Sequence, residues 1–415
     1  MTVPDASARI VRLEPRPHLP RGGLRDAQRP LELWGGLECS HVTIDGKIRD
    51  RLQQTGHQTR DDDLDRIAGL GIRIIRYPLL WAHAEGDGPP PADHARRLAR
   101  LEALGITPIV GFLDHGAGPG GLLPTDPGFA PRLADLAQAV VRRFASLRHV
   151  TPINAPVTTA RIACLYGQCE PHTRDTPTFL RHVAGYATAT AEVMRRIRCL
   201  RPDAMLTQTE DVGRGFATDA LADQAAYENE RRFLGFDLLC GRVGEGHRFW
   251  TELTDAGIAV DTLAALAAAP CPPDIIGIDQ YPTGDRFLDH RLERCPHEPV
   301  GGNGRQACVD VAAVRIPGLQ GEAGLLARLR EVKARHGLPI AVTEVHNGCT
   351  RAEQLRWLME AWQATTAARQ DRIDLRAVTV WSLFGTCDWN SMLRERRGFH
   401  ESGAFDLRRD PPRPG

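Results

Sequence analysis

The chain has 415 residues with 42% hydrophobic content, and its Lys+Arg and Asp+Glu totals are equal at 52 each. That balance gives no reason to expect nucleic acid or an anionic membrane as a partner. Nor is there a run of the roughly 18 apolar residues that a membrane span needs. The first thirty residues carry Pro4, Pro15, Pro17, Pro20 and Pro30 without an apolar core, and read as a loose arm (1–30) before one large domain (31–407). Residues 408–415 read as a Pro/Arg-rich tail. The ten cysteines form no CxxC pair, so free thiols, a reducing compartment and a cytoplasmic location are expected.

From residue 31 onward, short apolar runs alternate with amphipathic stretches. Residues 31–38 read as the first strand. A helix over 61–70 stops at Gly71 before a strand over 72–77, and a helix over 93–104 stops at Gly105 before a strand over 106–113. A helix over 129–146 leads to a strand over 150–154. The longer helix 179–199 ends at Arg201-Pro202, ahead of a strand over 204–209. Residues 228–258 read as helical with poor periodicity, and 274–281 as a clear strand. A glycine-rich loop around Gly301 to Gly304 follows, then a helix over 321–335. The next strand lies in the stretch 338–347, which opens on Leu-Pro after Gly337 as an apolar run that ends on a single carboxylate, Glu344. A helix over 351–369 and a strand over 377–383 complete the pattern.

Continuous apolar runs of this length are the mark of buried parallel strands. Eight of them, alternating with helices over about 380 residues, predict a (β/α)8 TIM barrel with enlarged βα loops. A doubly wound sheet is the runner-up, but no GxGxxG turn follows the first strand.

In a barrel the C-terminal strand ends converge on one pocket. Here they would bring together Glu38, Arg76 with Trp81, His115, Asn154, Glu210 with Asp211, Asp279 with Tyr281, Glu344 and Trp381. Each has an ordinary structural use: Arg76 as an ion-pair partner, Trp381 as core, His115 as a satisfied buried histidine, Glu344 as a strand-end cap. Together they make a set suited to sugars, with polar groups for vicinal hydroxyls and flat aromatic faces for C–H surfaces. No histidine pair has HxH or HxxxH spacing, so neither a metal nor another cofactor is expected.

These segments resemble the family 1 glycoside hydrolases, retaining (β/α)8 β-glucosidases and β-galactosidases. Trp34-Gly35 is similar to the family's opening strand, Arg76-Tyr-Pro-Leu-Leu-Trp81 to its second-strand arginine segment, and Leu113-Asp-His115 to its Leu-x-His-Trp motif. The strand ending at Tyr281 resembles one ending Asn-Tyr-Tyr. Thr343-Glu344 matches the Thr-Glu of the nucleophile motif. Val380-Trp-Ser-Leu383, Asp388-Trp389 and Gly403-Ala-Phe-Asp406 resemble the family's C-terminal run. The resemblance spans about residues 31–407. It implies an exo-acting retaining β-glycosidase with a β-glycoside as substrate, and Glu344 as nucleophile kept ionised and aimed by Arg76 and Tyr281. It further implies that His115, Asn154, Trp381, Asp388, Trp389, Glu38 and Asp279 contact the sugar.

The departure that matters is Asn154-Ala155-Pro156, where the family has Asn-Glu-Pro and the Glu is the general acid/base. Ala155 vacates that position. An engineered truncation of a working enzyme is the favoured explanation. A natural enzyme for activated leaving groups and a sugar-binding pseudoenzyme are the alternatives, together with a relative that binds a partner or sugar nucleotide without cleaving it. Glu38, Glu170, Glu210 and Asp211 are candidates for a substitute acid. Milder departures are Asp279 for asparagine, Asp388 for glutamate and Gly116 for tryptophan. The sugar, the aglycone and the oligomeric state are left open.

Overall fold

The computed structural model describes residues 29–83 and 92–408, and the backbone of 413–414. Eight strands close into a parallel barrel. They are β1 (Glu32–Gly36), β2 (Ile74–Pro78), β3 (Thr107–Leu113), β4 (His149–Ile153), β5 (Met205–Asp211), β6 (Ile275–Asp279), β7 (Ile340–Val345) and β8 (Leu375–Val380). Each lies beside its neighbours in sequence, and β8 returns to β1 with Leu33 opposite Val378. The predicted (β/α)8 barrel is therefore the observed fold. Strands β6 and β7 are buried along their whole length, which is why they read as unbroken apolar runs.

Around the barrel lie α1 (Asp63–Gly69), α2 (Ala92–Ala103), α3 (Phe129–Arg143), α4 (Pro156–Cys164), α5 (Thr176–Leu200), α6 (Leu325–His336) and α7 (Arg351–Gln370). Their ends follow from the sequence. Asp175 caps α5 by accepting from Thr178 N, and Thr350 with Glu353 forms a full capping box on α7. Gly337 closes α6 at φ +73°, a left-handed conformation natural to glycine. Inside the barrel, Trp34, Ile109, Ile275, Ala341 and Ala377 fill a plug, and the helices pack outside on a larger apolar layer.

Two expectations change. The stretch 228–258 is broken into separate short helices, Ala222–Arg231, Leu234–Leu239 and Trp250–Asp255, and a further helix, Val260–Ala268, follows. The glycine-rich loop belongs to a four-stranded sheet of Gly215–Ala217, Arg286–Asp289, Val300–Gly302 and Ala307–Ala312. Within the expected tail, Arg413–Pro414 pairs with Phe405–Asp406. The expected arm, up to residue 28, lies outside the described residues. Among those described, no helix is long and apolar enough to cross a membrane.

Candidate active site

The C-terminal strand ends open into a cavity of about 620 Å³. Glu344, near the end of β7, is buried and lines it. Its Oε1 accepts from Arg76 Nη1 at 2.8 Å, and its Oε2 accepts from the Tyr281 hydroxyl. Arg76, on β2, also donates to the Thr343 carbonyl at 2.9 Å and to Asn154 Oδ1 at 2.6 Å. Its guanidinium lies 4.2 Å from the centre of the Trp381 ring, a cation–π contact. One cation thus fixes residues from three strand ends.

Asp279, at the end of β6, lies beside Glu344 in the register. Its Oδ1 accepts from Thr343 Oγ1 at 2.7 Å and stands 3.7 Å from Arg76 Nη1, while its buried Oδ2 has no hydrogen-bond partner. Burial and the neighbouring Asp279 charge push the Glu344 carboxyl up, to about 8, against the pull of Arg76. Burial likewise raises Asp279, to about 7. Arg76 and Tyr281 make the expected contacts with Glu344, and burial together with the like charge of Asp279 opposes their pull on its carboxyl.

The other expected residues form the walls. Asn154 donates Nδ2 to Asp114 Oδ1 at 3.0 Å, and its Oδ1 also accepts from Thr209 Oγ1 at 2.6 Å. His115 is fixed through Nδ1 to Thr159 Oγ1 at 2.8 Å and rests against Trp389. Glu38 accepts from Ser40 N at 3.1 Å and from Trp381 Nε1 at 3.3 Å. The Trp381 ring lies so close to β1 that a Cβ at Gly36 would stand 2.3 Å from it. Gly116 has φ +74°, and a Cβ there would meet the His41 carbonyl at 2.3 Å. A tryptophan at that position has no room.

Asp388 does not reach the cavity. Its Oδ1 accepts from Phe399 N at 2.8 Å, in a turn where Asp388 itself has φ +63°. Glu401, 3.5 Å from His346 Nε2, does line the cavity, as does His346. Sequence reasoning missed both Glu401 and His346. His346, two residues past Glu344, carried the clearer signal.

Ala155 lines the cavity as the residue before α4, buried, at φ +39° and ψ 64°. No side chain caps the helix from that position. Glu210 does so instead: Oε2 accepts from Val157 N at 2.7 Å, and Oε1 accepts from Thr158 N at 3.1 Å and Thr158 Oγ1 at 2.6 Å. Burial holds the Glu210 carboxyl up, to about 7, despite these donors. Neither Glu210 nor Glu170 is part of the cavity lining, whereas Asp211 is. Its Oδ1 accepts from Gly213 N at 2.8 Å, and its Oδ2 lies 3.6 Å from Arg161 Nη2.

No protein-family model matches the chain. It is similar to the thermostable β-glucosidase B of Thermobispora bispora, at 26% identity over 385 residues, covering 82% of this chain and 74% of that protein. Its fold is similar to that of the family 1 β-glucosidase from Thermotoga maritima, with a TM-score of 0.70 and 15% identity over 90% of this chain and 92% of that one. The azafagomine complex of the Thermotoga maritima β-glucosidase superposes with a TM-score of 0.71 and 16% identity, over 91% and 93% of the two chains.

Proposed function

We propose that this chain is a retaining β-glycosidase framework in which Glu344 is the nucleophile and Ala155 marks the vacated acid/base position. One observation carries the reading: a buried carboxylate at the end of β7, clasped by Arg76 and Tyr281, faces a cavity walled by Trp381, Trp389, His115 and Asn154. The similarity to β-glucosidases supports it at the level of a glycosidase that binds carbohydrate.

In such a reaction Glu344 attacks the anomeric carbon as the glycosidic C–O bond breaks, and a second carboxyl about 5–5.5 Å away protonates the leaving oxygen. Water, deprotonated by that second group, then releases the sugar from Glu344. Ala155 can do neither proton transfer. Loss of such help costs roughly 10²–10⁴-fold, least for leaving groups that depart without a proton. Glu38, tied to Ser40 and Trp381, and Glu210, tied to α4, are both committed elsewhere. The left-handed backbone at 155 also supports an original side chain. It disfavours an L-residue by about 1–2 kcal/mol, and glycine would relieve that cost where no side chain was needed. We therefore read Ala155 as a truncated glutamate.

The test is hydrolysis of an aryl β-glycoside panel by this chain and by Ala155→Glu, each with and without azide. Labelling with an activated 2-fluoro glycoside and mass analysis of the Glu344 peptide accompany it. Turnover restored by the glutamate, or a β-glycosyl azide formed by azide attack on the glycosyl–Glu344 ester, supports the reading. A chain that binds sugars yet forms no adduct and stays inert in both forms is a binding protein instead.

A further inference from the structure

We propose that His41, Asp50 and His83 form a site for a first-row transition-metal dication, Zn2+ above all, which clips two loops at the barrel mouth together. His41 and Asp50 lie on the two strands of a hairpin, His41–Ile44 and Lys47–Asp50, that follows β1. His83 ends the turn Trp81–His83 that follows β2. The three residues come from separate segments, and one donor atom of each lies within 4.8 Å of the others.

The donor set is two imidazoles and one carboxylate, the set that suits Zn2+ and its neighbours. Asp50 Oδ1 is already used, accepting from Gln53 N at 2.9 Å. That leaves Oδ2, which lies 2.7 Å from His83 Nε2 and 3.5 Å from His41 Nδ1. Ligand atoms about 2.0–2.1 Å from a tetrahedral zinc stand about 3.3 Å apart. The His41–Asp50 edge already has that length, and the His83–Asp50 edge needs to open by about half an ångström. His41 Nδ1 is buried without a hydrogen-bond partner, so coordination would satisfy an orphaned atom.

The supporting parts are in place. His83 Nδ1 lies 3.5 Å from Gln58 Nε2; with that amide turned over, its oxygen would accept an Nδ1–H and fix the ring. The side chains of His41, Asp50 and His83 are 21%, 9% and 15% exposed, which leaves a way in for an ion and for water as the fourth ligand. None of the three lines the cavity, so the role is structural. The ion would join the loop that carries Glu38 to the turn that carries Trp81.

The test is calorimetric titration of the full chain, stripped with chelator, with Zn2+ and separately with Ni2+. Asp50→Asn, His83→Gln and His41→Ala are compared. Asparagine still caps the helix after residue 50, so that variant keeps its fold while losing the anionic ligand, and circular dichroism verifies this. One ion per chain is expected, with affinity falling by at least about 100-fold in each variant. Zn2+ should also raise the melting temperature of the parent but not of Asp50→Asn. Absence of binding to the parent, or binding that all three variants retain, would reduce the trio to a hydrogen-bonded ion pair and overturn the proposal.

Discussion

Glu344 and Asp279 stand side by side on adjacent strands and share one guanidinium, with Arg76 Nη1 at 2.8 Å from the first and 3.7 Å from the second. Two buried carboxylates with one nearby cation cannot both ionise cheaply, so the pair holds a proton near neutrality. A carboxylate must be charged to attack, so labelling of Glu344 by an activated 2-fluoro glycoside should quicken as pH rises toward about 8. Asp279→Asn removes the like charge while keeping the shape, which lowers the Glu344 pKa. The acid limb of the labelling profile should therefore move down by about one unit or more. A limb that stays put or moves up would show that burial alone sets the Glu344 pKa. The clasp around Glu344 was legible because strand-end residues in a barrel must converge. Glu401 was not, because it enters from a two-residue strand late in the chain, where no apolar periodicity marks a strand end. Asp388 misled for the same reason, since its turn geometry aims the carboxylate at the Phe399 backbone.

At the scale of elements, α4 is held from outside itself. Its N-terminal amides point at Glu210 on β5, so a strand end supplies the cap that Ala155 lacks. Exchanging that carboxylate for an amide, Glu210→Gln, leaves one acceptor oxygen for donors that now use two. A loss of about 1–3 kcal/mol in denaturant unfolding is expected, with faster amide exchange at Val157 and Thr158. Unchanged exchange at those two amides would mean that α4 is held by its packing alone. The barrel strands could be read in order because each is a buried apolar run. The small sheet could not. Its strands are three to six residues long and partly exposed, and glycines fill Val300–Gly302. A weak signal did exist in Val309, exposed Asp310 and Val311, an alternation that the glycines nearby obscured. The trio of His41, Asp50 and His83 left no such trace, since nothing local in the sequence links a hairpin after β1 to a turn after β2.

For the whole molecule, buried titratable groups of opposite kind set the dependence of stability on pH. His336 packs between Phe233 and Phe236 with both ring nitrogens unpartnered, and burial lowers its pKa to about 4. A base with a depressed folded pKa is neutral in both states above 6.5, so its cost appears only as pH falls from about 6.5 to 4. Glu344, Asp279 and Glu210 act the other way, since burial raises them to about 8, 7 and 7. Between their unfolded values and these, the native state binds more protons than the unfolded one, so unfolding free energy falls as pH rises. From pH 6.5 to 8 the histidine is silent and the carboxylates act alone. The melting temperature should fall across that window, with Glu344 contributing up to about 2 kcal/mol and Asp279 and Glu210, with their lower pKa values, up to about 1 kcal/mol each, at about 1.4 kcal/mol per unit. Glu344→Gln should flatten the fall, because it removes the group with the highest pKa and the charge that opposes ionisation of Asp279. His336→Leu should leave the fall unchanged and reduce the loss below pH 6.5. Thermal scans of the three proteins between pH 4.5 and 8 decide the matter. A parent whose stability rises from pH 6.5 to 8, or a Glu344→Gln variant with the parent's slope, would mean that the pocket carboxylates are ionised throughout.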